Sequence, residues 1–329
     1  MNDRRNLLIA LGAGAFANAL ATQAQQQPAK PRRIGYLTLG SAESNARYLV
    51  AFRSGMTALK WVDGRDYVIE ARYADGVALA AAGLAAELVG SQPDLLLASG
   101  EGSMRALLQQ TKTIPIVAGI AQDPVGNGLV ASLRRPGGNA TGLSNLATGL
   151  AGKRLQLLKE AIPGVRHVAV LFEPGNLGSV SQWTESEAAA KHLGLRATAI
   201  GLKAPAEIES AFKRATSLKV QALLATVGGT MGILRNVIAE RAIALKMPVM
   251  SADTAATEAG GLMSYGASGP DNFRRAAGYV DKIFKGAKPG ELPIQQPVTF
   301  EFVVNLKTAK AIGVTVPPIV MLQAERVIE

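Results

Sequence analysis

From residue 34 onward, short apolar runs alternate with amphipathic stretches. IGYLTLG (34–40), YVIEARY (67–73), DLLLAS (94–99) and PIVAGI (115–120) have strand length and strand composition. Helical spacing fills about 44–60, the stretch running to Val89 and the stretch running to about 111. Strand, helix and strand at this spacing predict right-handed crossovers and a parallel, doubly wound sheet. After residue 145 the rhythm starts again: a helix at 149–161, RHVAVLF (166–172), a helix at 179–193, LRATAIG (195–201), a helix at 206–217, VQALLATV (220–227), a helix at 230–246 and PVMSA (248–252). The pattern predicts an α/β protein with two such units in tandem. A third section follows, with GGLMSYG (260–266), a long helix, a Pro-Gly loop (KPGELP) and the strand VTFEFVVN (298–305).

Between the units lies RRPGGNATGLSN (134–145). A Walker phosphate loop needs GxxxxGK[ST] between a strand and a helix; this stretch has no lysine and follows a helix. Asn139-Ala140-Thr141 matches the glycosylation sequon, a short motif that arises by chance. The glycines allow positive φ and tight turning, so the segment reads as a turn entering a strand and then the first crossing between units, with Asn145 near the cleft.

The N-terminus adds a destination. MNDRRNLLIALGAGAFANALATQA has a basic start, an apolar run from Leu7 to Leu20 and small residues suited to cleavage near Ala24, which predicts a signal peptide over 1–24 and a periplasmic mature chain. The apolar run falls short of the ~20 residues of a membrane span. Arg4-Arg5 leaves Sec and twin-arginine export both open. The chain of 329 residues has no cysteine, which excludes disulfides and thiolate chemistry, and its net charge of +10 is spread along the sequence, so no nucleic-acid partner is expected.

Enzyme parts are scarce. No GxSxG elbow and no GxGxxG fingerprint occur, and the two histidines, His167 and His192, lie in no metal-ligand spacing. We therefore assign no catalytic residue, metal or cofactor. Ligands of open α/β sheets sit beyond the carboxyl ends of the strands. Those positions offer Gly40, Ser41, Ser99, Gly100, Glu101 and Asp123 in the first unit, and Asn176, Thr226 and Asp253 in the second, a set suited to a small polar molecule. The other role open to each is capping the following helix.

Three stretches carry a resemblance: DPVGNGLVASLRRPGGNATGLSN, EAGGLMSYG and YVDKIFKGAKPGELPIQQPVTFEFVVNLKTAKAIGVTVPP. Over about 32–329 the chain resembles the ABC-transporter substrate-binding family that includes tryptophan- and other amino-acid-binding members. The resemblance implies a type I periplasmic binding fold of two lobes closing on a ligand, with no enzymatic activity. It implies lobe 1 from 32–145 plus about 268–292, lobe 2 from 146–267, and a segment 293–329 that recrosses the hinge. It further implies a monomer that delivers its solute to a membrane permease driven by a separate ATPase. Carried over by position, Asp253 would pair with a ligand amine, Tyr265 would stack on or cover the ligand, and Ser41 and Asn176 would face the cleft. Two departures stand out: Gly228-Gly229 where amino-acid-binding relatives carry Asp-Asn, and Glu101 where they carry threonine. The expected ligand is an amino acid or an aromatic acid derivative. A ligand-sensing module for a membrane receptor could use the same fold. A secreted α/β hydrolase is disfavoured by the missing elbow, and a cytosolic repressor by the absence of a helix-turn-helix before residue 34.

Overall fold

The structure is a computed structural model that describes residues 30–329; the expected signal peptide lies outside the described residues. The first unit runs β1 (Arg32–Thr38), α1 (Ala42–Ala58), β2 (Tyr67–Tyr73), α2 (Ala81–Gly90), β3 (Leu95–Ser99), α3 (Glu101–Gln110), β4 (Ile116–Ala121) and β5 (Ala140–Ser144). Its sheet is wholly parallel, in the order β2-β1-β3-β4-β5. The second unit runs α4 (Ala151–Ala161), β6 (His167–Phe172), α5 (Leu177–His192), β7 (Arg196–Gly201), α6 (Ile208–Ser217), β8 (Ala222–Ala225), α7 (Gly229–Ala244), β9 (Val249–Ser251), α8 (Thr254–Glu258) and β10 (Met263–Gly266).

The near-continuous apolar strands are explained by helices on both sheet faces. In β3, Leu95 and Leu97 join the cluster with Phe52 and Phe273, while Leu96 and Ala98 join the opposite cluster with Leu88 and Leu107. In β6, Val168 and Val170 face one core of the second sheet, and Ala169 and Leu171 face the other. The period-two alternation of a strand thus feeds two cores at once.

After β10 the chain enters α9 (Gly269–Phe284), which packs on α1 and β4 of the first unit through Phe273, Ala276, Ala277 and Val280. It then passes beside β5, where Thr141 Oγ1 donates to the Leu292 carbonyl, and joins the second sheet as β11 (Glu301–Asn305). Helices α10 (Leu306–Ile312) and α11 (Pro318–Met321) and strand β12 (Arg326–Ile328) complete the chain. The second sheet has the order β12-β11-β10-β9-β8-β6-β7, with only the β10–β11 pair antiparallel. Strand β12 and the short helices α8, α10 and α11 fall outside the elements expected from the hydrophobic pattern.

The RRPGGNATGLSN segment follows irregular turns after β4, not the helix expected before it, and makes a turn and then β5. Gly137 and Gly138 take φ of 68° and 61°, and a Cβ on Gly142 would lie 2.1 Å from the Ala118 carbonyl oxygen of the neighbouring strand. Asn139 is buried and its Nδ2 donates to the Thr111 and Ile114 carbonyls, so the sequon asparagine is a structural bracket. The crossing that follows is pinned by Arg154, 2 % exposed, whose Nη1 donates to the Ala147 carbonyl and whose Nε donates to the Tyr265 carbonyl, each at 2.8 Å.

Candidate functional site

The carboxyl ends of the two sheets face each other across a cavity with an empty volume of ≈ 940 Å³ counted out to its open mouth. One wall comes from β1, α1 and the β3–α3 turn; the other comes from Asn176, the β8–α7 turn, α7 and Asp253. The lobes touch around it. Thr230 Oγ1 donates to the Gly76 carbonyl at 3.3 Å, and Ser181 Oγ donates to Asn127 Oδ1 at 3.2 Å.

Local sequence explains the close approach at the β8–α7 turn. A Cβ on Gly229 would stand 2.5 Å from the Leu39 carbonyl carbon across the cleft, and one on Gly228 would stand 2.2 Å from Glu173 Oε1. Larger side chains here, such as the Asp-Asn pair set against them by the resemblance, do not fit this arrangement. Glu173 itself is buried at the start of α7, accepting from the Met231 amide at 3.0 Å and from Asn176 Nδ2 at 3.3 Å. Burial raises its pKa, opposed by these donors and by the Thr230 and Gly229 amides. Its carboxylate occupies the amide-rich helix start where an anionic ligand would otherwise sit.

Five of the residues expected at the site border the cavity: Ser99, Gly100, Asn176, Thr226 and Asp253. Gly100 holds φ of 100° as it turns β3 into α3, a conformation that favours glycine. Ser99 Oγ donates to Asn45 Oδ1 at 3.1 Å. Asn176 is 3 % exposed, and its Oδ1 has no partner among the described residues. Thr226 shares a 2.7 Å hydrogen bond with Ser179 and donates to the Leu171 carbonyl.

Asp253 does not present a free carboxylate. Arg47 Nη2 donates to both of its oxygens at 2.5 Å, Tyr48 Oη donates at 3.3 Å, and the Ala255 amide donates at 3.1 Å. Burial opposes the charge of Arg47, but the Asp253 carboxylate outweighs it and holds the guanidinium above its ordinary range. The pair joins α1 of one lobe to the β9–α8 turn of the other. At 29 % and 32 % side-chain exposure it contributes about 1 kcal/mol or less.

The other six lie off the cavity wall. Ser41 caps α1 in a reciprocal box with Ser44, and Gly40 precedes that cap with its amide on Thr38 Oγ1. Glu101 is buried behind the α3 start, accepting from the Asp123 amide and, at 2.9 Å, from Asn127 Nδ2. Burial pushes its carboxyl up to about 7, against the Asp123 amide bond and with the help of the nearby Asp123 charge. Asp123 caps its own turn through the Gly126 amide, and Asn145 accepts from the Ala147 amide at the crossing. Tyr265 turns its ring onto Phe300 at 6.0 Å and edge-on to Phe302, so it packs the crossing strands.

Arg47, Tyr48, Asn45 and Arg235 line the cavity without having been singled out from the sequence. The available signal was positional: a helix that starts at a sheet's carboxyl edge places its first two turns beside the same crevice. Among the described residues no cluster of His, Cys, Asp and Glu is arranged to hold a metal. His167 shares a hydrogen bond with Thr198 at 2.8 Å and takes no part in the cavity.

Two doubly wound lobes, repeated crossings and an interlobe cavity lined by small polar groups define a two-lobed small-molecule receptor. The chain belongs to the family described as ABC transporter substrate binding protein, whose model matches residues 43–328. It is a solute-binding component of an ABC transporter, of the type I periplasmic binding fold, and its family is extracytoplasmic. It is 23% identical over 296 residues to a tyrosine-binding protein of Clostridioides difficile, covering 90% of this chain and 85% of that one. A solved conserved domain protein from Vibrio cholerae is 28% identical with a TM-score of 0.85, covering 91% of this chain and 100% of that chain. A Streptococcus pneumonia ABC domain in complex with L-Trp is also 28% identical, with a TM-score of 0.81 and coverage of 90% and 100%. No described helix is long and apolar enough to cross a membrane.

Proposed function

We propose that this chain is the exported receptor of an ABC importer. It captures a small polar organic molecule, an amino acid or an aromatic acid derivative, between its lobes and presents the closed form to a membrane permease. The observation that carries this reading is the buried Oδ1 of Asn176, without a partner among the described residues, on a residue that lines a cavity both lobes share. Leaving such an acceptor unpaired costs about 1–3 kcal/mol, so a ligand hydrogen-bond donor there favours closure. A ligand that touches both walls binds the closed state better than the open one and shifts the lobe equilibrium. The tyrosine- and tryptophan-binding relatives support the ligand class. The protein acts as a monomer, without catalysis, after removal of residues 1–24 in the periplasm.

The test is mass spectrometry of small molecules released when protein purified without added ligand is denatured, followed by titration of the identified compound. One organic acid or amino acid in stoichiometric amount is expected. Turnover of the released compound, or tight binding of a sugar alone, would refute the reading.

A further inference from the structure

We propose that the cleft takes an organic carboxylate that carries no ammonium group, held by Arg235 and the unused nitrogens of Arg47 and donating a hydrogen bond to Asn176 Oδ1. This rests on the reading of the cleft as the solute site and narrows its ligand.

The charge inventory is the first observation. Two arginines and one aspartate border the cavity, with no glutamate, lysine or histidine. The aspartate is already satisfied: Asp253 receives Arg47, Tyr48 and the Ala255 amide. Two acids behind the wall are also engaged by the protein, Glu173 by the start of α7 and Asn176, Glu101 by Asp123 and Asn127. An incoming ammonium group would find no unpaired carboxylate on the wall itself, and desolvating it beside a net positive wall is unfavourable.

Donors, by contrast, are in surplus. Only Nη2 of Arg47 is engaged among the described residues, leaving Nε and Nη1. Arg235, 22 % exposed, donates from Nη1 to the Gly232 carbonyl in its own helix; its acidic neighbour Glu43 stands 3.8 Å away on a side chain that is 84 % exposed and screened by water. The ten-residue helix α3 has Gly100 at its N-cap with no cap bond of its own; Gln122 Oε1 accepts from the Glu101 amide at 3.4 Å, and Gly100 and Gly102 form part of the wall. Guanidinium groups and the amides of a helix start both favour a carboxylate. Among the described residues Asn176 is the one lining residue with a buried side-chain acceptor that lacks a partner, and its Oδ1 sets the second requirement: a hydroxyl or N–H elsewhere on the ligand.

Calorimetry on the full mature chain, stripped of its resident ligand and refolded, compares each amino acid with its deaminated acid. The pairs are phenylalanine with phenylpropionate, tyrosine with hydroxyphenylpropionate, tryptophan with indolepropionate, and glutamate with glutarate; glucose and ribose serve as uncharged probes. The deaminated member of at least one pair should bind about tenfold or more tightly than its amino acid, and Arg235→Gln should weaken it by about tenfold, the range of one charge-assisted contact. An amino acid that binds as tightly as its deaminated partner, or an Arg235→Gln variant with unchanged affinity for the acid, overturns the proposal. Binding of a sugar alone overturns it while leaving a solute receptor standing. Silence from every probe, in a protein that released no small molecule on denaturation, overturns the receptor reading and this inference together.

Discussion

Replacing Glu101 with glutamine isolates the cost of burying a carboxyl where the lobes meet. Burial raises this group from its ordinary 4.5 to about 7. Below pH 4.5 the side chain is protonated in both folded and unfolded chains and contributes no pH dependence. Between 4.5 and 7 the unfolded chain releases the proton and the folded chain keeps it, so stability falls as pH rises through this window and levels off above it. At about 1.4 kcal/mol per pH unit, the loss is about 3 kcal/mol. Glutamine removes the ionisation with little change in shape. Its amide would face Asn127 Nδ2, but Asn127 can turn over: its oxygen then accepts from the new amide, and its Nδ2 meets Ser181 Oγ, which now donates at 3.2 Å and can accept instead. Urea unfolding of ligand-stripped protein at pH 5 and pH 8 is the assay. Parent and Glu101→Gln should agree within about 1 kcal/mol at pH 5, and the variant should be the more stable by about 2–3 kcal/mol at pH 8. Equal slopes for the two proteins, or a variant less stable at both pH values, would mean that Glu101 is held as an anion and that the reasoning is wrong.

Gly229→Ala places a Cβ 2.5 Å from the Leu39 backbone across the cleft, so the lobes must stay slightly apart. Ligand affinity should drop roughly tenfold while the urea midpoint changes little; unchanged affinity would show that this approach is not part of the bound state. Arg154→Leu leaves the buried Ala147 carbonyl and the part-buried Tyr265 carbonyl without donors and should destabilise the protein by about 2–4 kcal/mol in urea unfolding. A more stable variant would mean that relief of the buried charge outweighs those bonds. Asn139, with both amide hydrogens engaged, should remain unmodified in a glycosylating host, its intact mass unaltered by glycosidase treatment.

The fold was legible because both sheets are mostly parallel and covered on both faces. That requirement writes apolar runs such as LLLAS and HVAVLF into the chain, and YVIEARY was bounded to the residue. Short elements were not legible: β12 has three residues and α11 has four, too few for a period to register. At the site, the strand-end rule reached Ser99, Gly100, Asn176, Thr226 and Asp253. It could not tell wall residues from caps, because Ser41, Asp123 and Asn145 serve turns with the same side chains that would serve a ligand. Nor could it foresee that Asp253 is answered by Arg47, 206 residues away in sequence. Tyr265 was expected over the ligand, but its ring follows Phe300 and Phe302, whose strand arrives from the far end of the chain.

The absence of native cysteine makes the central claim directly measurable. Spin labels on cysteines introduced at Val50 of α1 and Leu245 at the end of α7, both exposed and on opposite lobes, report the interlobe distance by pulsed electron resonance. Protein purified with its resident molecule should give one narrow distribution. Stripping that molecule should lengthen and broaden it, and returning the released small-molecule fraction should restore it. One unchanged distribution through all three steps would contradict a receptor that closes on its solute.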